Sequence, residues 1–161
     1  MRMTEHVIWE AGSREADAVA ELLVEFRDWA GSSWPSDDVL ARSVESLMAD
    51  PNTVFLLGSS DRRSPPAGVC QLRFRFSVWT AVEDCWLEDL YVREPARRTG
   101  VGRSLLEAAC EHARHRGCRR IELDVNQEND RATLLYRSMG FSPHSKGMSA
   151  TGQDILMGMR L

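Results

Sequence analysis

The stretch VREPARRTGVGRSLLEAA, Val92–Ala109, decides how the rest of the chain is read. It begins at the end of an apolar run and crowds Arg97, Arg98, Gly100 and Gly102 into a short corner. Leu105, Leu106, Ala109, Cys110 and Ala113 then recur at three- and four-residue steps, which predicts a helix, and Gly117 can close it. A dinucleotide fingerprint needs a third glycine where Leu105 stands, so that pattern fails. A P-loop needs Lys followed by Ser or Thr; the chain has Arg103-Ser104 at a different spacing. A bare left-handed turn into a helix is the third reading. The order Arg97-x-x-Gly100-x-Gly102, directly after a strand and opening a helix, favours a cradle for pyrophosphate. Glycine lets backbone approach a ligand closely, and N–H groups at a helix start attract anions. An acidic residue inside the corner would repel phosphate; Glu94 lies just before it and none lies within.

Working outward, EHVIWEA reads as a first strand. Ser13 is placed to cap a helix carrying Ala16, Val19, Ala20, Leu23, Phe26 and Ala30 on one face, ended by Gly31. Ser36 can cap a second helix with Leu40, Val44, Leu47 and Met48. TVFLLG, VCQLRFRFSVW and CWLEDLYV follow as strands, with the proline-bearing SSDRRSPPAG as the loop between the first two. After the corner and its helix, RRIELDV is a strand. Ala132, Leu135, Tyr136 and Met139 mark another helix, closed by Gly140, and QDILMGMRL is a terminal strand. The expected fold is therefore α/β, with a mixed, mostly antiparallel sheet flanked by helices. A meander fills the first half and a βαβ crossover the second.

The 161 residues predict one domain over 1–161, and 43% apolar content is enough for a core. A net charge of −4 disfavours nucleic acid as a partner and suits cationic small molecules. Cys70, Cys85, Cys110 and Cys118 show no CxxC spacing and read as reduced thiols. The histidines His6, His112, His115 and His144 show no metal-ligand spacing, so no metal is expected. There is no membrane-length apolar run, and MRMTEHVIWE lacks the apolar core of a signal peptide, so a cytoplasmic protein is expected.

LYVREPARRTGVGRSLLEAACEHARHRG resembles the acetyl-CoA-binding segment of the GNAT N-acetyltransferase superfamily. LDVNQENDRATLLYRSMGF is similar to that family's N-x-x-A-x-x-x-Y-x-x-x-G-F region. The two motifs, in order, cover Leu87–Phe141; the first part of the chain, about 65 residues, carries only the order of elements. The resemblance implies a single acetyltransferase domain with acetyl-CoA as acyl donor. It implies that Arg97, Arg98, Thr99, Gly100, Val101, Gly102 and Arg103 hold the pyrophosphate, mostly through backbone N–H groups. Leu90 and Val92 would hold the pantetheine arm and polarise the thioester carbonyl; such donors are worth about 3–4 kcal/mol each. Asn129 matches a polar cofactor contact, and Tyr136 matches the acid that protonates the departing thiolate.

An aliphatic ammonium, with a pKa near ~10.4, must lose a proton before it can attack, at about 4–5 kcal/mol near neutrality. A carboxylate can take that proton. LEDLYV offers Glu88 and Asp89. The strand looks close to the LEDF or LEDL of the spermidine/spermine acetyltransferases, which makes Glu88 the candidate base and Asp89 a second acid at the substrate. Trp29, Trp34 and Trp79, with Asp28, Asp37, Asp38, Glu83 and Asp84, would form an aromatic and acidic site for a cation. Acetyl transfer to a primary amine of a small molecule, by direct attack in a ternary complex, is the expected function. A protein N-terminus or lysine as acceptor, and a non-catalytic acyl-CoA sensor, are the alternatives. Family members are often dimers, and DILMGMRL could serve such a contact.

Overall fold

The computed structural model describes residues 6–148 and 154–161, with backbone alone at 145–148. The strands are β1 (Val7–Glu10), β2 (Thr53–Ser59), β3 (Gly68–Ser77), β4 (Val82–Val92), β5 (Arg120–Asn126), β6 (Ser142–Met148) and β7 (Asp154–Arg160). The helices are α1 (Ala16–Trp29), α2 (Asp37–Met48), α3 (Val101–His115) and α4 (Asp130–Ser138). The hydrogen-bonded strand order is β1-β2-β3-β4-β5-β7-β6. Four pairings, β1–β2, β2–β3, β5–β7 and β6–β7, are antiparallel and β4–β5 is parallel. This is the α/β class, with the mixed sheet and crossover that the pattern predicts. QDILMGMRL supplies β7, and SPHSKGM supplies β6 before it.

The chain divides into two compact units. One comprises residues up to Arg73 with Asp89–Ala109; the other comprises Phe74–Glu88 and Cys110 onward. In the first, Val19, Leu22 and Leu23 of α1 and Val44 of α2 join Phe55, Leu57, Val69 and Tyr91 in one core. β2 is buried at every residue, which is why Val54–Leu57 reads as an unbroken apolar run rather than an alternation. Leu57 is fully buried, and burial of such a side chain contributes about 1.5–3 kcal/mol. In the second, Ile121, Leu123 and Val125 of β5 are buried alternately with Asp124 and Asn126, which are exposed.

Three local readings are corrected. Ser13 lies in a single 3-10 turn, Ser13–Glu15, and Glu15 occupies the N-cap of α1. The Glu15 carboxylate accepts from Gly12 N at 2.9 Å and Trp9 Nε1 at 2.7 Å, so an acid reaching backwards replaces the serine cap. Ser36 stands at the N-cap of α2, but its hydroxyl donates to the Asp38 carboxylate at 2.9 Å rather than accepting from the helix. β4 begins at Val82, three residues before Cys85. The acids in this added stretch are paired: Arg116 Nε donates to Glu83 at 2.6 Å and Arg120 Nη2 to Asp84 at 2.7 Å.

None of the four cysteines forms a disulfide, and all are buried. Burial raises the Cys85 thiol strongly, with Cys118 and Cys110 adding to it, and pushes Cys118 up to about 11. At pH 8 a thiol reagent such as a disulfide dye should therefore label native protein very slowly and all four cysteines in denaturant. Rapid native labelling would contradict this burial. Because the folded thiols titrate above the unfolded ones, their contribution to stability is complete below about pH 8.5 and is lost as pH rises towards 11.

Candidate active site

The first unit contains the corner. β4 ends at Val92, a 3-10 turn covers Glu94–Ala96, and α3 starts at Val101. Arg98 has φ 62° and Gly100 φ 102°, both left-handed. An arginine there costs about 1–2 kcal/mol, so its neighbours must hold it. Arg97 Nε donates to the Val92 carbonyl at 2.8 Å, and Thr99 Oγ1 donates to the Ala96 carbonyl at 2.7 Å. Gly100 is favoured by its φ, and any side chain there would make the His6 ring move aside, since a Cβ would stand 2.7 Å from His6 Cε1. His6 Nδ1 in turn lies 3.2 Å from Ser104 Oγ.

The α3 ladder opens with Ser104 N donating to Gly100 O at 3.0 Å. The first amides of a helix, such as Val101 and Gly102, have no intrahelical acceptor. Left-handed residues just before a helix start, as Arg98 and Gly100 are here, are the backbone geometry from which anion nests are built. The 15 residues of α3 add a positive dipole end, and its first turn contains no acid. The corner thus has the chemistry for a diphosphate. Nearby, Arg93 anchors the end of β4 to α1. Its guanidinium donates to Glu25 at 2.7–3.0 Å, to Glu21 at 2.7 Å and to the Pro66 carbonyl at 3.1 Å. Leu90 and Val92 lie on this last part of β4, half-buried.

Trp29 and Arg97 meet in this unit. The Arg97 guanidinium lies 5.3 Å from the Trp29 ring centre and 5.7 Å from that of Tyr91. Phe26 stacks on Trp29 at 6.1 Å and on Tyr91 at 5.3 Å. The acids expected around Trp29 are engaged locally: Asp28 and Asp37 accept from Arg27, and Asp38 pairs with Arg42. Ser36 first, then Arg42, holds the Asp38 carboxyl below its ordinary range.

The second unit contains Glu88, exposed on β4, and Tyr136, buried on α4 with its ring 5.8 Å from Phe141. The β4–β5 ladder pairs Cys85 with Ile121 and Trp86 with Glu122; Glu88 and Asp124 lie beyond it. Parallel strands that stop pairing leave backbone groups for another partner. Asp124, which the sequence reading passed over, has its carboxyl raised by desolvation first, then by Asp154 and Glu122. Asn129 caps α4, its Oδ1 accepting from Ala132 N at 3.2 Å, so a further contact falls to its side-chain nitrogen. Trp79 sits beyond the end of β3 and is 92% exposed, outside the strand that VCQLRFRFSVW suggested. Glu83 is held below its ordinary range by Arg116, and Asp84 is paired with Arg120, so neither is a bare acid for a substrate cation. Asp89 adjoins Glu88 on β4 as part of the first unit. Side chains of residues 145–148 in β6 lie outside the described residues.

His6 and Arg93 had no signal in the sequence. Their partners are 98 and 68 residues away.

Comparison with known proteins agrees with this geometry. A model of the acetyltransferase (GNAT) family matches residues 17–141. An aminoglycoside N(6')-acetyltransferase type 1 of Stenotrophomonas maltophilia is 32% identical over 112 residues, 67% of this chain and 72% of that protein. A thialysine N-epsilon-acetyltransferase of Caenorhabditis elegans is 34% identical over 119 residues, 74% of this chain and 70% of that one. The match to the corresponding Sus scrofa protein takes in 46% of its length. A crystal structure of a protein assigned as an acetyltransferase, from an Arthrobacter species, superposes with a TM-score of 0.76 at 34% identity, covering 89% of this chain and 90% of that one. An acetyltransferase from Thermus thermophilus, 20% identical, shares the fold over 100% of both chains with a TM-score of 0.76. The chain belongs to the acetyltransferase (GNAT) family and is an acyltransferase.

Proposed function

We propose that this enzyme moves the acetyl group of acetyl-CoA to a primary amine of a small molecule, by direct attack while both are bound. The corner Arg98–Arg103 is the observation that carries the donor: left-handed φ at Arg98 and Gly100 and an acid-free helix start suit a pyrophosphate. The family model's match runs through both compact units, which supports reading residues 1–161 as one acetyltransferase domain. The relatives named for aminoglycosides and thialysine point to small amines as acceptors.

In this reading, Glu88 takes a proton from the acceptor ammonium, directly or through water. The freed amine nitrogen forms a bond to the acetyl carbonyl carbon, and the carbon–sulfur bond breaks. Tyr136 gives its phenolic proton to the leaving sulfur, and backbone at Leu90 and Val92 supports the donor arm. Asn129 contributes its side-chain nitrogen, and Asp89 holds a second positive centre of the acceptor. The Cys85 and Cys118 thiols, raised by burial, are poor nucleophiles, which supports direct attack over an acetyl-enzyme. Reduced, disulfide-free cysteines also support a cytoplasmic setting, and half-buried Ile155 and Leu156 of β7 offer apolar surface for a homodimer.

The test is acetyl-CoA-dependent thiol release with spermidine, putrescine, lysine, an aminoglycoside and an N-terminal peptide. Turnover of one small amine is the expected result. Turnover of the peptide alone would move the function to protein acetylation. Absence of turnover, with acetyl-CoA still raising Tm, would leave the donor corner in place and point to an acceptor outside this panel or to a cofactor sensor.

A further inference from the structure

We infer that Arg97 and Trp29 form a latch that sets the affinity of the donor corner without touching the donor. This rests on the donor reading above and gives both residues a role different from the one their motif and neighbourhood suggest. The Arg97 cation is spent on the protein itself: Nε donates to Val92 O at 2.8 Å, and the guanidinium lies 5.3 Å from Trp29 and 5.7 Å from Tyr91. Phe26 closes the ring of contacts by stacking on both aromatics. The residue immediately following is Arg98, in a left-handed conformation that a non-glycine residue adopts only when its surroundings impose it. Thr99 pins the far side through Ala96, and Arg97 pins the near side.

Trp29 is the last residue of α1, so the pin on the near side is anchored in a different element. The same end of α1 grips the loop that follows it. Arg27 Nη1 donates to Pro35 O at 2.6 Å and to Asp37 at 2.7 Å. One turn of helix therefore holds both the donor corner and the segment between α1 and α2. Trp29 is 56% exposed at a helix end, so truncating it removes the latch while sparing the core.

Titration calorimetry with CoA, on the full chain, tests this directly. Trp29→Ala and Arg97→Gln should each weaken CoA about five- to tenfold, the loss of a partly buried cation–aromatic contact. The double variant should bind no more weakly than the weaker single one, because both changes break the same link. Trp29→Phe should restore most of the affinity. Trp29→Ala and Trp29→Phe should keep the wild-type dependence of Kd on salt, since neither removes a charge. Wild-type affinity in Trp29→Ala, or losses that add in the double variant, would overturn the latch and return Arg97 to direct phosphate contact. Wild-type protein that fails to bind CoA would instead overturn the donor reading itself.

Discussion

Glu88→Gln lowers kcat/KM for the acceptor amine about a hundredfold at pH 7, the low end of what a positioned base contributes. The deficit shrinks as pH rises. An amine with a pKa near ~10.4 is about 0.04% free base at pH 7 and a few per cent at pH 9, so solution chemistry gradually replaces the missing carboxylate. The variant's rate should therefore climb about tenfold per pH unit where the wild type has begun to level. Glu88 is exposed on β4, beyond the ladder with β5, so the substitution leaves the core intact. A pH–rate profile from 6 to 9 is the measurement. A variant that tracks the wild type over that range would leave Glu88 as a solvated surface acid.

Tyr136→Phe is the second large effect. Without a phenolic proton the leaving thiolate must depart charged, and kcat should fall about a hundred- to a thousandfold. CoA affinity should stay within about twofold, because the ring and its packing against Phe141 remain. That split matters, since Tyr136 is 6% exposed and also closes the α4 stripe. A purely structural tyrosine would lose Tm and leave kcat alone. Rapid mixing that resolves the chemical step from product release would sharpen the comparison.

Short-range features of this fold were legible in the sequence. The α3 stripe of Leu105, Leu106, Ala109, Cys110 and Ala113 is buried throughout, because a period of 3.6 needs only local pattern. The corner was legible too, since its glycine spacing and lack of acid are local facts. Leu22 was missed on α1, although it is almost fully buried, because the expected stripe was drawn one residue too narrow. The expected strand began at Cys85, three residues late, and only the fold brings Arg116 to Glu83 and Arg120 to Asp84 at its true start. The same long-range pairing occupies Glu83 and Asp84 of the expected acidic pocket, whereas Asp28, Asp37 and Asp38 are engaged by arginines near them in sequence. Arg97 is the subtler case. Its motif position suggested a ligand for phosphate, and no local pattern could show Trp29 beneath its guanidinium.

The left-handed arginine at position 98 also has a kinetic consequence. Its cost, about 1–2 kcal/mol, is met once, when the chain folds. On the donor reading proposed above, an arriving donor meets a loop already held in place, and its association rate should carry no slow rearrangement step. A glycine at that position would relieve the strain but return freedom to the loop, and each encounter would have to remove that freedom again. On that same donor reading, a fast association rate, the same at every turnover, is the expected gain from the strained residue.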